Sequence, residues 1–172
     1  MRTLFATALF AAALAAGAFP ALADDHMSRG CAPGQTFTAG AITVSGAFTR
    51  ATLPSAPVGA GYLDIENSGE AADRLVGATG DISATIEIHT MSMVDGVMKM
   101  EHLPAGIEIP AGETVSLAPG GYHLMIIGPK QPFLEGECVA LTLAFETAGA
   151  LPVQLLVGPI GAREAPSGHD GH

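Results

Sequence analysis

Ala84-Thr85-Ile86-Glu87-Ile88-His89-Thr90-Met91-Ser92-Met93 alternates in character from one residue to the next. Side chains of an extended strand leave on opposite faces with period two. Ala84, Ile86 and Ile88 therefore form an apolar face, while Thr85, Glu87, His89, Met91 and Met93 share the other. The segment reads as a half-buried strand. In 122–127 the same split puts Leu124 and Ile126 on one face and His123 with Met125 on the other. Two strands each present a His and a Met two residues apart, on the side away from the expected core.

Working outward, short β-branched runs recur at 41–50, 59–67, 73–79, 84–93, 97–102, 106–109, 113–118, 122–128, 137–147 and 151–158. They are broken by Pro54, Pro57, Asn67-Ser68-Gly69, Asp95-Gly96, Pro110, Pro119-Gly120-Gly121 and Gly149, which are turn formers. With 22 Gly, 12 Pro and no Trp in 172 residues, the chain predicts an all-β sandwich or barrel. Its length suits one domain, expected over residues 41–161 after a polar N-terminal segment at 24–40. Residues 162–172 turn to Arg, Glu, Pro, Ser, Gly, His and Asp and predict a flexible His-containing tail.

The compartment follows from the first residues. Met1-Arg2-Thr3-Leu4-Phe5 leads into an Ala-rich apolar run ending at Ala21-Leu22-Ala23, a small-x-small cleavage pattern. Residues 1–23 therefore read as a signal peptide. Gly17 and Pro20 break the run, which argues against an anchor that stays in the membrane. The expected product is exported to the periplasm, with no stable membrane insertion after cleavage. Lipid attachment at Cys31 is not expected, because Ser28-Arg29-Gly30 puts a charge where a lipobox is apolar. Cys31 and Cys138 are the only cysteines, and an even pair in an oxidising compartment predicts a disulfide. Seventeen acidic against seven basic residues give a net charge of −10, which excludes a nucleic-acid partner.

The methionines are unevenly placed. Beyond Met27, those of the exported chain are Met91, Met93, Met98, Met100 and Met125, with His89, His102 and His123 interleaved. Methionine used as core filler would be scattered among all the strands. Thioether and imidazole together are a soft donor set, which favours Cu(I) over Zn and over hard cations. In an oxidising compartment a thioether also avoids the disulfide that a thiolate pair would form.

At these residues the sequence resembles the periplasmic PCu(A)C copper chaperone family, known for His, ten residues, Met, about twenty-one residues, then His-x-Met. Here ten residues separate His89 from Met100, and twenty-two separate Met100 from His123-Leu124-Met125. The likeness continues through Ala60-Gly61-Tyr62, Asp73-Arg74-Leu75, Ile109-Pro110-Ala111-Gly112 and Pro119-Gly120-Gly121-Tyr122. The resemblance implies a cupredoxin-like, immunoglobulin-like Greek-key β-sandwich that carries Cu(I) on His89, Met100, His123 and Met125. It also implies delivery of copper to cytochrome c oxidase, directly or with a Sco-type partner. Met91, Met93 and Met98 then stand as secondary or exchange ligands. His102, two residues beyond Met100 on the same face, has no role that the family supplies and stands as a further secondary metal candidate.

Two rivals use the same scaffold. A blue-copper electron carrier needs a Cys thiolate beside two His, with the Cys between them in sequence, whereas Cys138 follows both His123 and Met125. A secreted β-sandwich without metal would serve as an interaction module. Catalysis has no support: Gly-x-Ser-x-Gly, His-Glu-x-x-His and a glycine-rich phosphate loop are all missing from the sequence. Finally, cleavage after Ala23 would expose Asp24-Asp25-His26, whose amine, backbone amides and imidazole suit Cu(II). His169-Asp170-Gly171-His172 offers a second set of harder donors at the other end.

Overall fold

The computed structural model describes residues 31–167. Eleven strands follow one another: β1 (Phe37–Ala39), β2 (Ile42–Arg50), β3 (Val58–Asn67), β4 (Asp73–Thr79), β5 (Ser83–Val94), β6 (Val97–His102), β7 (Ile107–Ile109), β8 (Thr114–Leu117), β9 (His123–Pro129), β10 (Cys138–Phe145) and β11 (Gly149–Gly158). The expected all-β class holds. Among the described residues no helix is long and apolar enough to cross a membrane.

Hydrogen bonding runs along the order β6-β5-β9-β3-β2-β11-β10-β4-β7, with β1 added to β2 and β8 to β3. β11 pairs with β2 in parallel, from Leu156↔Phe48 to Gly158↔Arg50, and the other named strand pairs are antiparallel. The sheet is open, but it bends so that its two halves enclose one core. Ile88, Leu124 and Ile126 from one half join Leu75, Leu143, Val153 and Leu155 from the other in a single buried cluster. Leu124 is fully buried there, so Leu124→Ala would cost about 2–5 kcal/mol in lost transfer energy and residual cavity. Gly61, opposite Leu124 on β3, leaves room for this packing: a Cβ there would stand 2.9 Å from Leu155 Cδ1.

Burial confirms the parity read from the sequence. Ile88, Leu124 and Ile126 face inward while Met91 and Met125 stay partly exposed on the opposite face. Asp73 closes the far side of the sandwich. Burial alone would raise its carboxyl, but N–H groups of Thr147, Arg74 and Ala148 donate to it at 2.7–2.9 Å and bring it below the usual range.

The ends of the domain differ from expectation. Order begins before residue 41, because Phe37–Ala39 forms a hairpin with Ile42–Val44 across a turn at Gly40. Residues 162–167 were expected within a flexible tail from 162, and they lie on the domain. Arg50 Nε donates to the Ala162 carbonyl at 2.7 Å, and Pro166 and Ala162 cover the space that Gly158 leaves open. The small apolar side chains of Ala162 and Pro166 fit against the bare glycine. Cys31 and Cys138 are joined in a disulfide that ties the start of the described chain to β10.

Candidate metal centre

β5 lies between β6 and β9, and its register sets the site. His89 is opposite His123 on β9 and opposite His102 on β6, so three imidazoles stand in one row across three strands. Ring centroids are 5.3 Å apart for His89 and His102, which are stacked, and 5.8 Å for His89 and His123. The neighbouring row on one side is Met91↔Met100, and on the other it is Glu87↔Met125↔Ala60. The row of imidazoles thus has a thioether on each flank.

Although they leave on the face away from the core, His89 and His123 are only 8% exposed. His102 stacks on one side of His89, and the segment at 51–57 forms part of the wall of a groove beside His123. Met100, His123 and Met125 line a groove of about 640 Å³ together with that segment and Ile160. The Arg50 to Ala162 bond holds the turn that carries Ile160 beside the groove, and the Arg50 guanidinium also rests over the Tyr62 ring, 5.3 Å from its centroid. His89 does not line the groove. It reaches the site through its neighbour His123.

Each of these two imidazoles spends one nitrogen on a protein acceptor. His123 Nδ1–H donates to the Gly121 carbonyl at 3.1 Å, which leaves Nε2 unprotonated. His89 Nε2–H donates to the Glu87 carboxylate at 2.8 Å, and its Nδ1 is buried without a hydrogen-bond partner. A carboxylate or carbonyl on the far ring nitrogen is the usual support of a metal-binding imidazole. Burial, reinforced by the field of His89, pushes His123 below the ordinary histidine range, partly offset by the Gly121 carbonyl. Glu87 is held below the ordinary carboxylate range, first by its hydrogen bond from His89. The first shift keeps His123 neutral, and the second keeps Glu87 ionised as the acceptor for His89.

The donor set suits a soft ion. Among the described residues no three His, Cys, Asp or Glu side chains are grouped so as to hold a metal ion by themselves. Both cysteines are consumed in the disulfide, which removes the thiolate that a blue-copper centre needs. Met91, Met93 and Met98 do not reach the groove; they lie along the β5–β6 hairpin. The alignment of His102 with His89 was not drawn from the sequence, yet the signal is there. Asp95 and Gly96 both have positive φ, 52° and 77°, the two-residue turn that pairs Val94 with Val97 and, counting back, His89 with His102. Asp24, Asp25, His26, His169 and His172, expected as secondary Cu(II) ligands, lie outside the described residues.

This fold, with His and Met paired on adjacent strands, is that of a cupredoxin-like PCuAC domain. The apo PmoF2 PCuAC domain matches with a TM-score of 0.65 at 24% identity, covering 76% of this chain and 100% of that one. The copper-bound PCuAC domain from PmoF2 matches at 0.62 and 24%, over 73% and 98% of the two chains. CuI-DR1885 from Deinococcus radiodurans matches at 0.56 and 29%, over 72% and 80%. The resemblance seen in the sequence is therefore upheld.

Within that class the chain belongs to the LpqE-like family. The family model described as "Putative lipoprotein LpqE-like" matches residues 42–157. "Putative lipoprotein Lxx21020" of Leifsonia xyli subsp. xyli is 33% identical over 116 residues, 67% of this chain and 69% of that protein.

Proposed function

We propose that this protein is an exported copper chaperone that takes Cu(I) on His89, Met100, His123 and Met125. One observation carries the reading. His89 and His123 face each other across β5 and β9, each with one nitrogen left unused by the protein, and thioethers flank the pair. Copper-bound relatives of the same fold support the choice of metal, and the lipoprotein relative supports export.

The protein's own groups do three things. Gly121 and Glu87 fix the two rings by accepting one proton-bearing nitrogen each, so the rings need little reorganisation to receive the ion. Burial of His123 keeps it unprotonated, which lets it bind metal without first releasing a proton. Met100, half exposed, offers a neutral and displaceable donor at the rim, where an acceptor can replace ligands one at a time. That arrangement favours transfer over storage. The acceptors in this reading are the copper-site subunit of cytochrome c oxidase and Sco-type proteins.

The test is transfer. Cu(I)-loaded protein is mixed with the apo copper domain of the oxidase or with an apo Sco-type protein, then separated and assayed for metal. Copper should move to the acceptor. Retention against every such acceptor would instead mark a buffer or store.

A further inference from the structure

The β5–β6 hairpin carries a second cluster that the His/Met centre does not use. Met91 is opposite Met100, and Met93 is opposite Met98. Residues directly opposite on antiparallel strands point to the same face, with Cβ atoms about 4.5–5.5 Å apart, and residues two apart on one strand are about 6.6 Å apart. Each methionine carries its sulfur two rotatable bonds beyond Cβ, so four sulfurs arranged in this rectangle can turn inward toward one ion. The Asp95-Gly96 turn, with both residues at positive φ, fixes the pairing and allows no slip that would scatter the sulfurs to opposite faces.

Nothing in the core explains these side chains. Met93, Met98 and Met100 are 63%, 45% and 50% exposed, and every residue of β6 is exposed. The charged groups of β6, Lys99 and Glu101, fall on the other face by strand parity, as do Thr90 and Ser92 of β5. One face of the hairpin therefore carries four neutral thioethers, while the other carries Thr90, Ser92, Lys99 and Glu101, with Val94 and Val97 next to the turn. Three solvent-facing methionines and a partly exposed fourth on one short hairpin are a poor use of apolar surface. As ligands they are well chosen, since neutral sulfur favours a soft monovalent cation over Zn or Cu(II).

We infer that Met91, Met93, Met98 and Met100 form a second site, an all-thioether landing place for a soft monovalent cation such as Cu(I). Met100 belongs to both clusters: it pairs with Met91 on the hairpin and lines the groove with His123 and Met125. An ion held on the hairpin can thus exchange into the His/Met centre through a shared ligand, without release to solvent. The site rests on register and exposure and does not require that the histidines bind copper.

The probe is Ag(I), a soft monovalent ion that does not change oxidation state, added to the full exported chain with 13C-labelled methionine methyls. In the wild type two equivalents should bind, and the Met93 and Met98 methyl signals should shift. In Met93→Leu/Met98→Leu, which keeps apolar volume on an exposed hairpin, stoichiometry should fall by one while the Met125 signal still responds. In His89→Gln/His123→Gln the Met93 and Met98 signals should still shift. Met93 and Met98 signals unmoved by Ag(I) in the wild type would overturn the inference and assign the thioether face to protein contact. Loss of the Met125 response alone would count against the His/Met centre and leave the hairpin site standing.

Discussion

His89 and His123 stand directly opposite each other on β5 and β9, their ring centroids 5.8 Å apart, and each gives one ring nitrogen to a protein oxygen. Two adjacent buried imidazoles repel if both take up protons, which is a reason to propose one shared cation between them. The thioethers of Met100 and Met125 on either side would favour a soft one.

Met125 shares its strand face with His123 and borders the groove, whereas Met93 sits two residues before the hairpin turn. Met125→Ala should weaken Cu(I) binding at the central site at least about tenfold, equivalent to about 1.4 kcal/mol. Met93→Ala should leave that site within about twofold, well under that tenfold step. A competition titration against a Cu(I) chelator of known affinity reads both, and equal losses would mean that the ligands are misassigned.

Glu87 accepts a hydrogen bond from His89 Nε2. Glu87→Gln keeps the shape but weakens the acceptor, and carboxylate partners of this kind are worth about 10–100-fold in metal affinity. The same titration should show a loss in that range with the fold unchanged by circular dichroism. An unaltered affinity would remove Glu87 from the site.

The lowered pKa of His123 sets the pH response. Below its ordinary value of 6.5 the unfolded chain takes up a proton that the folded His123 still refuses. Stability therefore rises with pH across that window; it drops as the pH falls below 6.5 and levels off once His123 itself is protonated. Metal competes with the same proton, so His123 should contribute no pH dependence to Cu(I) affinity from neutral pH upward, and should begin to weaken it only below 6.5. Affinity followed against pH in wild type and His123→Gln isolates this contribution, which would be refuted by a His123-dependent decline that begins above 6.5.

Much of the site was legible in the sequence because strand parity is local. Alternation in 84–93 and 122–127 was enough to put His89 and His123 with their methionines on the outer face, and the turn residues marked nearly every strand. What escaped depends on contacts distant in sequence. His102 stacks on His89, and the segment at 51–57 shares a groove with His123; no periodicity within β5 or β9 reveals neighbours supplied by other elements. The same holds at the ends. β1 is ordered by pairing with β2, and residues 162–167 by the bare surface at Gly158.

The disulfide bears on how the chain is exported. Cys31 Sγ is bonded to Cys138 Sγ across a separation of 107 residues, and a sulfur so engaged cannot also carry a lipid. Intact mass of the unreduced exported protein should show two thiols protected from alkylation and no acyl mass on Cys31. Reduction should lower the denaturation midpoint, with about 4.7 kcal/mol as the upper bound for closing so long a loop. Two freely alkylated thiols, or a lipid on Cys31, would refute the bridge.

The central claim is that one Cu(I) ion is held by imidazole and thioether together at His89, Met100, His123 and Met125. X-ray absorption at the copper K edge tests it most directly, on protein loaded with less than one equivalent of Cu(I) so that the tighter site fills first. The edge should be that of Cu(I), with both nitrogen and sulfur in the first coordination shell and the nitrogen disappearing in His89→Gln/His123→Gln. A first shell of nitrogen and oxygen alone, or of sulfur alone in the wild type, would contradict it.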